Sequence, residues 1–528
     1  MSEYLSVSLL SLLAVSLSVL LSALATPVLA QSPAACSALL GHTQDGVDLN
    51  ITAAVHATDR QTPATPFAAG LTLPPHCHVE GEIDRRTGAD GKSYALRFAI
   101  NLPDNWNGRF LFQGGGGLNG SLNEPLGTQA TGGRPALSRG FAVVSTDSGH
   151  QGQGGFDAGF MADQEAALNF FFLGNMRVTQ VAKPLVAAYY SRPATKSYFV
   201  GCSTGGREGM IMAQRYPYLY DGIVSGAPAI RTGLSNLALR WMNVQMNLAA
   251  PKDAQGLPLP GGTYSKTEQA LIIDGLLQSC DALDGAEDGL IFNTTACHFD
   301  PRSLSCPAGQ QGANCLAADK ADALAKAVAG PVDSRGLQVY SRFLLDTGID
   351  DDSGFIPGII AGGGVPPVGP PVATLLSQDV DAEFIAATAT DAAIGDSTSY
   401  QLSSFAANGG KQLYYHGVSD PWFSAMDTVA YYQRMAVVNG GLESVKQWSR
   451  VFLVPGMGHC AGGEQTVDSF DMLDAIVAWV EDGRAPDRII ATGNSLPDVS
   501  RPLCPYPQHP HYRGSGDSKD AASFECRE

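Results

Sequence analysis

The chain has 528 residues, 44% of them hydrophobic, with 33 Lys and Arg against 51 Asp and Glu and a formal net charge of −18. That length and apolar fraction suit a large elaborated domain with a real core. The negative balance excludes nucleic acid, whose phosphates demand a basic footprint, and argues equally against an anionic membrane surface.

Residues Leu5 to Ala25 are almost wholly Leu, Val, Ser and Ala, and Val28-Leu29-Ala30 puts small or short residues at cleavage positions. Residues 1–30 therefore read as a secretory signal cleaved after Ala30, which implies a secreted or periplasmic protein with no stable membrane association. Two features favour an uncleaved anchor instead: Met1-Ser2-Glu3-Tyr4 carries no Lys or Arg, and the apolar run is long enough to span. Ten cysteines follow, at 36, 77, 202, 280, 297, 306, 315, 460, 504 and 526. An even count behind an export signal suggests disulfides, without fixing their pairing.

From Cys36 to about Pro75 the pattern is mixed. Tyr94–Ile100 alternates as a strand, and Asn105–Gly108 reads as a turn. Arg109–Gln113 is a strand running into Gly114-Gly115-Gly116-Gly117, and Phe141–Ser145 is another, ending at His150. Residues 165–190 read as one helix with Val178, Val181, Leu185 and Val186 on one side. Tyr198-Phe199-Val200 closes a buried strand and Arg207–Ala213 reads as a helix; Asp221–Ala229 is a further strand and loop. Strands alternating with helices predict an α/β fold with a mainly parallel sheet. After about Ile230 the chain turns helical and then rich in Cys, Gly and Pro. The stretch Ala361–Pro371 is all Gly, Pro, Ala and Val and reads as loop. The α/β rhythm returns at Gln412–Gly417 and Arg450–Pro455. The reading is a core over 31–229, an inserted lid over 230–398, and a second core part with a cysteine-clipped tail over 399–528.

Gly201-Cys202-Ser203-Thr204-Gly205, between that strand and helix, fits G-x-S-x-G in the context of a nucleophile elbow. Glycines flank the serine because a Cβ on either side would collide with neighbouring backbone. A serine hydroxyl needs a base, and the base an orienting carboxylate, in the chain order Ser, Asp or Glu, His. Asp420 and His459 each lie just past a predicted strand, as Ser203 does, where ligands collect in open α/β sheets. His150 and His416 are the rival bases. The oxyanion donors would be the N–H groups of Thr204, at a helix start, and of Gly116, with Gly115 and Gly117 close behind. A phosphate loop is the competing reading of those glycines, but no Lys-Ser or Lys-Thr follows them. Cys202 and Cys460 neighbour Ser203 and His459, so a bridge between them would hold nucleophile and base together; two buried thiols are the alternative. The acidic stretch Asp281–Leu290 suits Ca²⁺ or a solvated turn equally well by spacing alone, since its acids depart from the EF-hand pattern.

Gly201-Cys202-Ser203, Asp420 and His459-Cys460 together resemble the Cys-Ser…Asp…His-Cys arrangement of the tannase and feruloyl esterase family. The resemblance runs from Cys36 to Cys526 and implies an α/β-hydrolase fold with a large inserted lid. It implies a structural Ca²⁺ in that lid, held by Asp281, Asp284 and Asp288 with the carbonyls of Ala286 and Leu290. It also implies the bridges Cys202–Cys460, Cys36–Cys77, Cys280–Cys297, Cys306–Cys315 and Cys504–Cys526. The implied activity is that of a serine esterase on small esters of aromatic acids such as gallate or ferulate, of plant cell-wall or tannin origin, with Phe423 lining the acyl site. One branch of the family takes a terephthalate monoester and holds its free carboxylate with a lid arginine; residues 353–385 here contain no Arg or Lys, which argues against that substrate. A non-catalytic phenolic- or carbohydrate-binding protein on the same scaffold is the rival of another class, and the intact Ser, Asp, His order disfavours it.

Overall fold

A computed structural model describes residues 32–62, 70–153, 155–259, 261–310, 312–352, 356–361 and 375–528. The signal reading at 1–30 and most of the Gly- and Pro-rich run at 361–371 lie outside them.

Nine strands form one sheet: β1 (Leu49–Ala57), β2 (His76–Thr87), β3 (Ser93–Pro103), β4 (Arg109–Gln113), β5 (Ala142–Thr146), β6 (Lys196–Cys202), β7 (Gly222–Gly226), β8 (Lys411–Gly417) and β9 (Ser449–Val454). Their order is β1-β2-β3-β5-β4-β6-β7-β8-β9. The pairings from β1 to β5 are antiparallel. From β5 to β9 every pairing is parallel. The sequence pattern follows this division. Along β2, buried and half-exposed residues alternate, as one solvated face demands. The parallel strands β5 and β7 are buried at every position, and β6 at all but its first, because helices cover both faces.

On one face pack α1 (Gly174–Tyr190), α2 (Thr204–Arg215) and α3 (Ala425–Val438), through Val178, Leu185, Met210, Tyr432 and Met435. On the other packs α4 (Met472–Asp482), through Leu473, Ile476 and Trp479. Between Gly226 and Lys411 no described residue joins the nine-stranded sheet. That span holds helices Thr232–Ala249, Lys266–Cys280, Ala318–Ala329 and Val380–Thr388. It has its own core around Leu237, Met242, Ile272, Leu324 and Phe343, which also takes in Trp422 and Phe423. Five disulfides pair Cys36–Cys77, Cys202–Cys460, Cys280–Cys297, Cys306–Cys315 and Cys504–Cys526. No helix among the described residues is long and apolar enough to cross a membrane.

The helix expected over 165–190 is not continuous. An α-helical turn, Gln164–Leu168, passes into a wider π-turn at Asn169–Leu173 before α1 begins. Part of the reason lies on α2. The fully buried guanidinium of Arg207 donates to the carbonyls of Phe170 (3.1 Å) and Phe171 (2.9 Å) and to Gly395 O (3.0 Å), and lies 4.8 Å from the Phe170 ring centroid. A widened turn lets carbonyls face a side-chain donor. Arg207→Met keeps the volume and removes the donors from three buried carbonyls, at about 1–3 kcal/mol each. Urea unfolding should show a loss of about 3 kcal/mol or more, and an unchanged midpoint would contradict this role.

Candidate active site

Ser203 sits between β6 and α2 with φ +64°, a conformation that side chains rarely adopt. The turn is held by hydrogen bonds from Ser203 N–H to Gly226 O (3.0 Å) and from Ala229 N–H to Ser203 O (3.2 Å). The flanking glycines are needed for close approach. A Cβ on Gly201 would lie 2.5 Å from the Gly205 carbonyl, and one on Gly205 would lie 2.6 Å from Gly115 O. The elbow and the glycine loop after β4 therefore cross backbone to backbone.

That crossing is locked by polar contacts. Glu208, buried on α2, accepts from Gly115 N–H (2.9 Å) and from Asn119 Nδ2 (2.6 Å). Thr204 Oγ1 donates to Gly117 O. Gly115 N–H is thus occupied, which removes it from the three candidate oxyanion donors. Gly116 accepts from Asn119 N–H through its carbonyl (2.9 Å), and its own N–H has no protein acceptor among the described residues. Thr204 N–H is the first of α2, where the helix leaves it without an intrahelical partner.

The carboxylate and the imidazole come from the next strands along. Asp420 follows β8 and His459 follows β9, and His459 Nδ1 lies 2.7 Å from Asp420 Oδ2. Since Asp420 accepts, Nδ1 carries the proton and Nε2 is left as the basic nitrogen. Asp420 is buried, and its other oxygen accepts from the N–H groups of Trp422 (2.9 Å) and Phe423 (3.1 Å). Burial would raise its carboxyl, but the imidazoles of His459 and His416 together hold it well below the usual carboxylate range. Cys202 and Cys460, beside Ser203 and His459, are disulfide-bonded with Cα atoms 5.9 Å apart. The strand ends of β6, β8 and β9 thus converge.

The two rival histidines serve elsewhere. His150 stacks on Phe160 at 3.6 Å, lies with Nε2 3.0 Å from Leu118 O, and is pushed down to about 4, chiefly by burial. His416 holds Thr428 Oγ1 (2.8 Å) and Phe423 O (2.9 Å), with Nε2 3.4 Å from Asp420 Oδ2, and so buttresses the carboxylate from behind.

Phe423 meets the His459 ring edge-on at 5.2 Å. Trp422 stacks on Phe423 at 5.1 Å, stands 5.9 Å from His459, and has Phe156 5.6 Å away. Trp422 belongs to the Pro421-Trp422-Phe423 run that resembles the family after Asp420, whereas Phe156 had no signal in the sequence beyond being aromatic. Asp346 had none at all. It is fully buried, accepts from Gly456 N–H (2.6 Å) and from the Ser419 hydroxyl, and so bridges the base loop and the acid loop from within the insertion. Burial pushes its carboxyl up to about 7.

The acidic turn forms a 3₁₀ segment, Asp281–Asp284, followed by Gly285 and Gly289 in the left-handed region. Asp284 is buried and is pushed up to about 7, first by burial, with the Asp288 and Asp281 carboxylates adding to the rise. Asp281 accepts from Gly289 N–H (3.0 Å), and Asp288 pairs with the buried Arg501. Asp284 accepts from the N–H groups of Ala286 (3.2 Å) and Phe292 (2.8 Å), and Asp288 from that of Leu290 (3.2 Å). One guanidinium thus balances only one of three carboxylates on this turn. Hard oxygens in excess are the donor type of the Ca²⁺ class, though the three do not converge within 4.8 Å of one another.

The family model described as "Tannase and feruloyl esterase" matches residues 77–364 and 372–527. A mono(2-hydroxyethyl) terephthalate hydrolase of Piscinibacter sakaiensis is 38% identical over 557 residues, covering 94% of this chain and 92% of that protein. A probable feruloyl esterase of Arthroderma benhamiae is 31% identical over 460 residues, covering 81% of each chain. The crystal structure of feruloyl esterase B from Aspergillus oryzae superposes with TM-score 0.75 at 25% identity, over 94% of this chain and 100% of that one. The sheet order, the strand-end convergence of Ser203, Asp420 and His459, and these matches agree: the chain belongs to the tannase and feruloyl esterase family of carboxylic ester hydrolases, with the α/β-hydrolase fold.

Proposed function

We propose that the protein is an exported serine esterase that hydrolyses esters of aromatic carboxylic acids through an acyl-enzyme. The observation that supports this is the 2.7 Å contact between His459 Nδ1 and Asp420, together with the Cys202–Cys460 bridge between the chain neighbours of Ser203 and His459. Ser203 Oγ attacks the ester carbonyl carbon as its proton passes to His459 Nε2. The oxygen that gains the charge is stabilised by the N–H groups of Thr204 and Gly116. His459 then gives the proton to the departing alkoxide, the C–O bond breaks, and an acyl-Ser203 ester remains. Water attacks that ester with His459 again as base, releasing the acid and restoring the hydroxyl. Asp420 stays ionised throughout and stabilises the imidazolium, in keeping with a carboxyl held below its ordinary range.

Phe423 with Trp422 offers an aromatic wall beside the base, suited to a planar acyl group such as gallate or ferulate. A terephthalate monoester is the second reading, favoured by the relative at 38% identity. Against it stands the absence of Arg and Lys from residues 353–385. A Ca²⁺ held by Asp281, Asp284 and Asp288 with the Ala286 and Leu290 carbonyls would neutralise the acidic turn and brace the lid; it takes no part in the proton transfers.

Four outcomes follow. With methyl gallate, methyl ferulate and a terephthalate monoester compared side by side, kcat/KM should be highest for a phenolic ester. Ser203→Ala should lower kcat by about 10⁶ and Asp420→Asn by about 10⁴. Full turnover by Ser203→Ala would remove the nucleophile. Thiol reduction should abolish activity at a reductant concentration where circular dichroism still shows the folded sheet; unchanged turnover with both thiols titrated free would contradict the clamp. Chelation should lower the melting temperature and Ca²⁺ restore it, by about 2.7 kcal/mol of stability at a hundredfold excess over Kd. Asp284→Asn should lose that response.

A further inference from the structure

A second cluster of ligating side chains lies far from the elbow in sequence, at the antiparallel edge of the sheet. One ring nitrogen each of His76 and His78, both on β2, and a carboxylate oxygen of Glu124 lie within 4.8 Å of one another. His76 is fully buried. Its Nδ1 is 2.7 Å from Pro74 O, which fixes the proton there and leaves Nε2 with a bare lone pair. That Nε2 is buried with no hydrogen-bond partner among the described residues. A buried, unpartnered imidazole nitrogen costs about 1–3 kcal/mol unless something occupies its lone pair.

The rest of the cluster has the arrangement that metal-bound histidines use. His78 Nε2 lies 3.2 Å from Glu80 Oε1, so a carboxylate backs the ring on one side. On the other, Nδ1 donates to Asn101 Oδ1 at 2.7 Å and lies 3.7 Å from Glu124 Oε1, so an ion reaching this nitrogen must take the place of that proton. A carbonyl on one imidazole and a carboxylate on the other are the outer partners that orient histidine ligands and raise their basicity. Arg60 binds the far oxygen of Glu124, Oε2, at 2.6 Å, and Asn101 Nδ2 donates to Oε1 at 2.8 Å. The carboxylate is therefore held in place with Oε1 turned to the histidines.

We propose that His76 Nε2, His78 Nδ1 and Glu124 Oε1 form a binding site for a borderline divalent metal ion, Zn²⁺ by preference, with water in the fourth position; binding moves the His78 proton from Nδ1, where Asn101 Oδ1 accepts it, to Nε2, where Glu80 Oε1 accepts it. Two imidazoles and one carboxylate suit Zn²⁺ and exclude the all-oxygen chemistry of Ca²⁺. The site has a place in the architecture of the catalytic loop. Glu124 ends the segment that begins with the oxyanion glycines, and Gln113 binds both Glu124 O (3.2 Å) and Gly127 N–H (2.7 Å). His76 adjoins Cys77, which is bridged to Cys36. An ion here would pin the far end of the glycine loop to β2, as a structural device.

The test uses the full mature protein, stripped with a chelator and returned to saturating Ca²⁺ so that hard oxygen sites are filled. Co²⁺ serves as the probe, since nitrogen-ligated Co²⁺ absorbs in the visible. Wild-type protein should take up one equivalent with visible absorption, lose it to one equivalent of Zn²⁺, and melt at a higher temperature with Zn²⁺ than without. Because His76 is buried, the half-buried His78 and Glu124 carry the mutational test. His78→Ala and Glu124→Gln should each lose the Co²⁺ spectrum and the Zn²⁺-dependent melting shift while still melting cooperatively. Folded wild-type protein with no Co²⁺ absorption would overturn the site. So would an unchanged spectrum and stoichiometry in both variants.

Discussion

The Cys202–Cys460 disulfide is the constraint on which the site depends. It joins two residues 258 positions apart in sequence and holds their Cα atoms 5.9 Å apart. On chain entropy alone, closing so long a loop in the unfolded chain stabilises the fold by about 5 kcal/mol. Its location matters more than that magnitude. The cysteines are the immediate chain neighbours of Ser203 and His459, the proposed nucleophile and base, so displacement of one loop relative to the other is transmitted within one residue. Catalysis by proton transfer falls off steeply with such misplacement. A covalent tie at this point fixes the hydroxyl-bearing turn against the imidazole loop without any bulky packing contact that would fill the substrate's space.

The strain in the elbow is over-determined in the same way. Ser203 holds a left-handed conformation, and the surroundings leave it no alternative. Gly201, Gly205 and Gly114 touch backbone to backbone, Glu208 draws Gly115 and Asn119 toward α2, and Thr204 Oγ1 ties Gly117 to the helix start. The two candidate oxyanion donors come from elements that are thus mutually fixed. Preorganised donors of this kind act without reorganising when charge develops.

Much of this was legible in the sequence because local chemistry demanded particular residues. The elbow needed its glycines between a β-branched strand and a helix, and the order Ser203, Asp420, His459 placed the partners past recognisable apolar strands. Choosing His459 over His416 and His150 needed only that order, and of the three His459 lies nearest the Asp420 carboxylate, at 2.7 Å. What was not legible depended on distant packing. β1 and β2 are half-solvated strands whose polar alternation, with His, Glu and Asp, hides them. The π-turn at Asn169–Leu173 faces Arg207, which lies 34 or more residues further along a different element. Asp346 is an isolated acid in a helical and loop-rich insertion, and nothing in its neighbours distinguishes it from a surface carboxylate.

Asp346 also changes what the insertion is. Its carboxylate accepts from Gly456 N–H, three residues before His459, and from the Ser419 hydroxyl, one residue before Asp420. Around it, Tyr340 OH accepts from Ser424 N–H (3.3 Å), Ser424 Oγ donates to Arg342 O, and Ser341 Oγ donates to Asp427 (3.0 Å). Arg231, at the start of the insertion, pairs with the same Asp427. The segment 340–348 is therefore hydrogen-bonded to the loops that carry both the acid and the base, and its aromatic core continues into Trp422 and Phe423. A cover that only enclosed substrate would contact the sheet through its rim. This one shares buried polar groups with the loops that carry Asp420 and His459, so its position and the spacing of those two loops are set by the same contacts. Loosening of the insertion would then reach the Asp420–His459 pair, because the loops that carry them cannot keep their spacing when the Asp346 carboxylate between them moves.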